Sequence, residues 1–208
     1  LINYNTLQLN SLAKYFVELN VITDLDQIPE EIIKLPKLIL GEGSNILLSK
    51  NWDGLVILMK MKGRKILNED DNSVMIEVAA GENWHELVTW AAENNWGGVE
   101  NLALIPGTVG AAPVQNIAAY GQNFVDVCDS VEFRFWENNE FIWLPKKECN
   151  FGYRDSIFKH DLRGKGFVTK VRMSLNKHAK LETGYYSIHV KHESLLAELA
   201  KTGKTEYE

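Results

Sequence analysis

The chain has 208 residues, of which 45% are hydrophobic and 24% charged, with a formal net charge of −6. This apolar content is enough to build the core of one large domain or two modest ones. Lysine and arginine are scattered along an acidic chain, which excludes a strongly basic face and argues against nucleic acid and anionic membranes as main partners.

No apolar run approaches the length of a membrane span, and residues 1–10 lack the basic and then apolar form of a signal peptide. We therefore expect a cytoplasmic protein, with a monomer as the default state. Cys128 and Cys149 lack C-x-x-C spacing, so we expect packing roles for both and no metal site. The missing initial methionine and the charged residues 201–208 lead us to expect an incomplete gene product.

The first part of the chain predicts a small β-α-β unit. Apolar runs predict strands at 14–19, 38–40, 46–48 and 55–61, the last of them entered by a turn at 52–54. Between the first two strands, isoleucines at roughly helical spacing predict a helix at 24–34, with Asp24 as a possible cap.

A glycine turn follows the strand at 38–40. Its sequence, G-E-G-S-N at 41–45, offers several main-chain N–H donors beside small side chains. The dinucleotide fingerprint G-x-G-x-x-G is absent, because Ile46 stands where the third glycine would be. The turn therefore suggests anion binding outside the ordinary Rossmann motif.

The next segment predicts a strand and the clearest helix of the chain. Apolar residues alternate over 74–78, as expected of a strand with one buried face. Asn83 then stands as a helix cap, Glu86 follows three positions later as in a capping box, and Gly97 and Gly98 end the helix. Trp84, which starts the apolar stripe of this helix, and the other five tryptophans are expected to serve packing.

The run from Asn101 to Gly121 contains three glycines, two prolines and five alanines, with no charged side chain. Pro106 favours an extended Ile105, Gly107 can take a positive φ, and Thr108 can cap a short helix at 109–111. Free N–H groups at that helix start would attract phosphate, at roughly 0.3–1 kcal/mol for the dipole alone. A linker turn is the alternative, but a second glycine turn in the same chain favours a ligand with two phosphates.

The second half of the chain predicts an antiparallel sheet. Residues 131–135 and 141–144 form a predicted hairpin across a turn at 138–139, and residues 167–175 alternate as a further strand. A helix-capped antiparallel sheet after a β-α-β unit predicts an α+β fold.

Four ordered motifs resemble the UDP-N-acetylenolpyruvoylglucosamine reductase (MurB) family, flavoenzymes of peptidoglycan precursor synthesis. They lie at 41–45, 81–84, 100–121 and 151–159, and the resemblance extends from about residue 5 to residue 188. It implies a two-lobed FAD-binding domain of the vanillyl-alcohol-oxidase/PCMH type, with lobes at 1–64 and 65–176. Residues 177–208 would begin a substrate-binding domain.

The resemblance assigns FAD binding to both glycine-rich bends and to the residues after the second. The predicted cofactor-binding residues are Gly41, Glu42, Gly43, Ser44, Asn45, Ile105, Pro106, Gly107, Thr108, Val109, Gly110, Ala111, Ala112, Gln115, Asn116, Ile117, Ala118, Ala119, Tyr120, Gly121 and Val168. Gln115 and Asn116 are expected to hydrogen-bond the isoalloxazine edge or the phosphates, and residues 117–120 to line the path of the ring.

Tyr153 and Arg154 are the candidates for substrate chemistry. From the residues alone, a surface Arg154 paired with Asp155 is the simpler interpretation. The resemblance implies instead that Arg154 clamps a carboxylate and stabilises charge as hydride reaches an enolpyruvyl group. That hydride would come from FAD recharged by NADPH, since no side chain can donate one. Tyr153 and Tyr185 are expected to bind the nucleotide-sugar substrate.

The family's later part, which supplies a proton-donating serine and a distal glutamate, does not occur in these 208 residues. Losing a general acid typically costs about 10² to 10⁴ in rate. The sequence therefore leaves three hypotheses open: an NADPH-dependent reductase, a flavin-binding module without turnover, or a flavin-dependent oxidation of another small molecule.

Two other motifs near the end of the chain are weaker. Gly203, Lys204 and Thr205 match half of a phosphate loop, but Glu198 stands where its first glycine would be. His189, His192 and Glu193 are within metal-binding spacing but lack a further convergent ligand.

Overall fold

Three parallel strands form the first sheet in this computed structural model, which describes residues 1–178 and Lys201. They are β1 (Ala13–Leu19), β2 (Lys37–Leu40) and β3 (Trp52–Met59), in the order β1-β3-β2. The central strand β3 is buried from residue 54 to residue 59, because side chains cover both faces of the sheet. The predicted β-α-β unit is thus confirmed in its parallel pairing.

The helix predicted at 24–34 is two short helices, a 3₁₀ turn at Ile22–Gln27 and α1 at Glu30–Ile33. Pro29 separates them because it lacks an N–H to continue the first helix. The carboxylate of Asp24 accepts the N–H groups of Asn20 and Val21 at 2.8 and 2.9 Å, so it caps the 3₁₀ turn from inside.

Two predictions for residues 46–54 are wrong. Residues 46–48 form no strand, because Ile46 packs onto the apolar face made by Leu40, Val56 and Leu58. The predicted turn at 52–54 belongs to β3, where a Cβ on Gly54 would lie 2.2 Å from the carbonyl oxygen of Pro36. Glycine at this position permits close approach of two backbones, which is a second use of glycine in strands.

The second sheet has five antiparallel strands in the order β4-β5-β10-β8-β9. Their bounds are β4 (Arg64–Glu69), β5 (Ser73–Ala79), β8 (Cys128–Phe135), β9 (Phe141–Pro145) and β10 (Gly166–Asn176). The predicted strand at 74–78, the hairpin and the final strand are confirmed. β4 was not predicted, because five of its six side chains are exposed and show no apolar alternation.

Helix α2 (Trp84–Glu93) covers one face of the second sheet. The side chain of Asn83 accepts the N–H of Glu86 at 2.9 Å, which confirms the predicted cap. The apolar stripe is buried as expected: Trp84, Leu87, Val88 and Ala91. Downstream, a hairpin of β6 (Ala118–Ala119) and β7 (Gln122–Asn123) leads into α3 (Phe124–Val127).

Further 3₁₀ turns connect these elements. They lie at Ile2–Tyr4, Glu100–Leu102, Val109–Ala111, Pro113–Gln115, Lys146–Glu148 and Ile157–Lys159. Across the described part of the chain, no helix is long and apolar enough to span a membrane.

Both sheets contribute to one hydrophobic core. Leu55 and Met59 of the first sheet belong to the same buried cluster as Val78 and Phe133 of the second. Cys128 and Cys149 are buried, which confirms their packing role. Burial raises the pKa of the Cys149 thiol to about 12, and it raises that of Cys128 further, so both stay protonated at neutral pH.

Candidate functional site

A cavity of about 860 Å³ lies where the two sheets face each other. Its walls include the loop after β2, the 3₁₀ turn Val109–Ala111 and the inner faces of β8 and β10. The predicted cofactor-binding residues that line it are Gly41, Glu42, Gly43, Ser44, Asn45, Ile105, Pro106, Gly107, Thr108, Gly110, Ala111, Ala112, Gln115, Ile117 and Val168. The fold therefore brings both glycine-rich bends to one cavity.

The first bend, residues 41–45, presents main-chain donors that the described part of the chain does not use. Within residues 1–178, the N–H groups of residues 42 to 45 donate to no protein acceptor. Gly43 has φ +67°, and a Cβ there would lie 2.0 Å from the carbonyl oxygen of Tyr4. Successive unpaired N–H groups in a tight turn form an anion-binding concavity, so this bend fits a phosphate group.

The second bend, residues 105–112, differs from the prediction. Gly107 has the expected positive φ of 130°, but the start of the 3₁₀ turn does not offer free donors. The N–H of Val109 donates to the Glu82 carbonyl and that of Gly110 to the Ala80 carbonyl, both at 2.9 Å. The predicted outward-facing N–H groups are therefore wrong at these positions, because the turn pairs with the chain after β5.

Packing explains the small residues of the second bend. A Cβ on Gly110 would lie 2.5 Å from the Cβ of Ala80, so only glycine lets the turn approach this closely. The side chain of Thr108 makes no cap hydrogen bond. Ala111 is exposed and borders the cavity, so its small size leaves the cavity open.

Hydrogen bonds from polar side chains connect the two bends. The carboxylate of Glu42 accepts the Gly107 N–H at 2.8 Å and a hydrogen bond from the Asn83 amide. Ser44 donates to the Pro106 carbonyl at 3.2 Å, and the Asn45 amide donates to Gln115 at 2.6 Å. The relative position of the bends is thus fixed by the protein itself.

Glu82, whose carbonyl accepts the Val109 N–H of the second bend, is held by the start of β4. Its carboxylate, with 7% of the side chain exposed, accepts the Gly63 N–H at 2.8 Å and the Arg64 Nη2 at 3.1 Å. Burial alone would raise the pKa of this carboxyl, but the Gly63 hydrogen bond and the charges of Lys62 and Arg64 outweigh it, so the pKa lies below its usual 4.5.

We expect this carboxylate to make stability acid-sensitive. A lowered folded-state pKa gives stability that is present above pH 4.5 and is lost as the pH falls through the folded value. Glu82→Gln should lower the free energy of unfolding at neutral pH by about 2 kcal/mol, and its melting temperature should fall less between neutral and acid pH than that of the wild type. Thermal denaturation over pH tests this, with exposed Glu137→Gln as control. Parallel pH curves would contradict the expectation.

The loop at 151–159 carries the candidate catalytic residue. The Arg154 guanidinium donates through Nη2 to the carbonyl oxygen of Ala118 at 3.0 Å. Asp155 is bound by His160 at 2.8 Å, a hydrogen bond that lowers the pKa of the Asp155 carboxyl. The simpler interpretation from sequence, an Arg154–Asp155 pair, is therefore wrong. Tyr153 is 92% exposed.

Several predicted site residues do not line the cavity. Val109 is fully buried, and the Asn116 amide is used by the backbone of Gly152 and Val125. The others outside the lining are Ala118, Ala119, Tyr120, Gly121, Tyr153 and Arg154. Tyr185 lies outside the described residues, as do the histidine group at 189–193 and the glycine motif at 203–205.

Several residues that line the cavity were not predicted from the sequence. Lys34, Lys37, Trp136, Phe158 and Lys159 all line it. The Lys37 ammonium lies 5.2 Å from the Trp136 ring, and burial lowers the pKa of that lysine. Sequence patterns could not find this contact, because Lys37 begins β2 and Trp136 follows β8, about 100 residues later.

Comparison with known proteins agrees with this geometry. Residues 30–143 match the family described as FAD binding domain. The chain is 43% identical to the UDP-N-acetylenolpyruvoylglucosamine reductase of Flavobacterium johnsoniae and 44% identical to that of Chromobacterium violaceum. These matches cover 98% and 89% of this chain, but only 59% and 55% of the two relatives. The predicted resemblance to the reductase family is confirmed. The chain spans little more than half the length of these relatives.

Solved structures show the same fold. The reductase (MurB) from Thermus caldophilus superposes with a TM-score of 0.69 at 23% identity, over 97% of this chain and 65% of that one. A solvent-stable cholesterol oxidase gives 0.57 at 10% identity, over 78% and 34%. The predicted α+β fold of the vanillyl-alcohol-oxidase/PCMH type is confirmed.

Proposed function

We propose, from the premise that this chain belongs to the FAD binding domain family, that it forms the FAD-binding part of an NADPH-dependent UDP-N-acetylenolpyruvoylglucosamine reductase. The observation that best supports this proposal is that, within the described residues, the N–H groups of residues 42 to 45 donate to no acceptor and lie beside a cavity of about 860 Å³. The lobes at 1–64 and 65–176, a substrate-binding start at 177–208 and a cytoplasmic location belong to the same proposal.

The residues present fit the cofactor by their chemistry. Main-chain donors at 42–45 would hold the diphosphate, since unpaired N–H groups in a turn favour bound anions. Ile117 and Val168 would give the ring an apolar wall, and Ala111 leaves space beside it. Lys37 at the start of β2 and Trp136 after β8 border the same cavity and would cover the remaining part of the cofactor.

When bound, FAD that NADPH has first reduced would supply the hydride for the CH₂ carbon of the enolpyruvyl group. Arg154 would hold the substrate carboxylate and stabilise the negative charge that builds on the adjacent carbon. One preorganised donor of this kind lowers a barrier by about 3 kcal/mol. The hydrogen bond from Nη2 to Ala118 occupies one nitrogen of the guanidinium and leaves its other N–H groups for substrate.

A flavin-binding module without turnover is the alternative. The chain spans only 59% and 55% of the length of the two relatives that it matches, and the alternative applies to that part taken alone. Without a general acid, the reduced carbon would have to take its proton from water.

The purified chain distinguishes the two functions. Flavin absorption retained after desalting, together with NADPH consumption that depends on the enolpyruvyl nucleotide sugar, supports the reductase. Retained flavin without consumption supports the binding module. A chain that binds no added FAD contradicts both.

We expect Ala111→Trp to empty the cofactor site. The exposed side chain borders the cavity, and over-packing by a large group costs about 1–3 kcal/mol, or roughly tenfold or more in FAD affinity. The flavin-to-protein absorbance ratio after desalting measures the effect.

Gly110→Ala should lower both this ratio and the melting temperature, because its Cβ meets Ala80.

The matched control is Ala92→Trp on the exposed side of α2. It should keep a normal flavin ratio. If Ala111→Trp kept one too, FAD could not occupy the space beside Ala111.

A further inference from the structure

The loop at 151–159, which carries Arg154, runs alongside residues 113–119, the segment that follows the second bend. Three hydrogen bonds join them at alternate positions of that segment. Ser156 Oγ donates to the Val114 carbonyl at 2.6 Å, Asn116 Nδ2 donates to the Gly152 carbonyl at 3.0 Å, and Arg154 Nη2 donates to the Ala118 carbonyl at 3.0 Å. Two of the three side chains, Ser156 and Asn116, are buried.

Asn116 uses both ends of its amide. While Nδ2 donates to Gly152, Oδ1 accepts the Val125 N–H at 3.0 Å, so one side chain joins the loop to the start of α3. The amide donates from its nitrogen and accepts at its oxygen, whereas an ionised carboxylate of the same shape can only accept. Asn116 is 7% exposed and does not line the cavity, so its role is not direct contact with a cofactor.

The backbone of this region needs such support. Arg154 and Asn116 both have positive φ, 53° and 45°. Asn adopts this conformation readily, but it is unfavourable for an arginine. Lys159 adds a hydrogen bond from its ammonium to the Arg154 carbonyl at 2.8 Å. Strained conformations persist where surrounding contacts over-determine them, and they cluster at functional positions.

We propose that Asn116 and Ser156 are positioning residues, which hold Arg154 beside the cofactor-binding segment and set its distance from the substrate. This inference rests on the proposed reductase function. A misplacement of about 1 Å can cost about 10²-fold in rate, so a long exposed arginine benefits from a fixed backbone.

Trypsin cleavage after Arg154 tests the fixation independently of activity. Asn116→Asp has nearly the same shape and still accepts the Val125 N–H, but it cannot donate to Gly152. Cleavage should accelerate by about tenfold, because loss of one buried hydrogen bond raises the population of the open loop. Asn138→Asp, in the exposed turn between β8 and β9, is the matched control and should leave the rate unchanged. An unchanged rate in Asn116→Asp would overturn the proposal.

The FAD-loaded reductase tests the catalytic consequence. Asn116→Asp should keep the flavin content and the rate of flavin reduction by NADPH. Reoxidation by the enolpyruvyl substrate should slow by about tenfold, because only this half-reaction involves Arg154. In an Arg154→Lys background the same change should add little, since coupled residues are non-additive. An equal loss in both backgrounds would overturn the positioning role.

Ser156→Ala provides a second variant if Asn116→Asp does not fold. It removes the hydrogen bond to Val114 and should accelerate trypsin cleavage in the same direction, with Ser156→Thr restoring the wild-type rate. If the wild-type protein consumed no NADPH with substrate, the proposed function would fail. The trypsin measurement would still decide whether Asn116 and Ser156 fix Arg154.

Discussion

Arg154→Lys is expected to lower reduction of the enolpyruvyl substrate by about 10²-fold while FAD remains bound. Lysine keeps the positive charge but loses the planar fork that can bind the Ala118 carbonyl and a substrate carboxylate together. Removal of a single preorganised donor typically costs about 3 kcal/mol in the transition state. Arg154 does not line the cofactor cavity, so flavin content should not change.

Two measurements check this expectation. Steady-state NADPH oxidation gives the loss in turnover, and the flavin-to-protein absorbance ratio shows that the cofactor stays. Arg163→Lys, an exposed arginine on the same connection between β9 and β10, is the matched control and should behave as wild type. Near-normal turnover in Arg154→Lys would remove this residue from the catalytic machinery.

Gly43→Ala should have the largest effect on the cofactor site. Its φ of +67° is unfavourable for alanine by about 1–2 kcal/mol. The new Cβ would also lie 2.0 Å from the Tyr4 carbonyl and 2.8 Å from the Cα of Asn5, both main-chain atoms that cannot easily move. We expect loss of FAD and a fall of more than about 3 kcal/mol in the free energy of unfolding.

Gly164→Ala separates the two causes. Gly164 has a similar φ of +73°, and a Cβ there meets nothing within 4 Å, so the substitution adds backbone strain alone. The difference between the two variants in thermal and denaturant unfolding therefore measures the collision with Tyr4. Equal destabilisation would show that the N-terminal turn yields, and it would contradict the rigid bend that phosphate binding requires.

Sequence periodicity predicted the elements whose apolar residues recur at regular spacing along the chain. Helix α2, strand β5 and the β8–β9 hairpin each carry an apolar face or stripe that neighbouring residues reveal. β4 was missed because its side chains are mostly exposed. Residues 46–48 were mistaken for a strand because all three are apolar, but Ile46 packs onto a sheet face while Leu47 is exposed. In both segments, the local apolar pattern did not reveal the pairing or packing that the fold gives them.

The candidate site was predictable to a similar extent. Both bends were located from glycine and small residues, and they do meet at one cavity. The N–H groups of the second bend were assigned to the ligand because nothing local shows that Ala80 and Glu82 accept them. Asn116 was assigned to the cofactor for the same reason, since its partners Gly152 and Val125 become neighbours only in the fold.

The common core of the two sheets has a consequence for cofactor exchange. Because Leu55 and Met59 pack in one cluster with Val78 and Phe133, the walls of the cleft cannot swing apart without exposing apolar surface to water. Such a slot is preorganised, so occupancy costs little conformational entropy. We therefore expect bound flavin to dissociate slowly and to remain with the protein as a prosthetic group through purification.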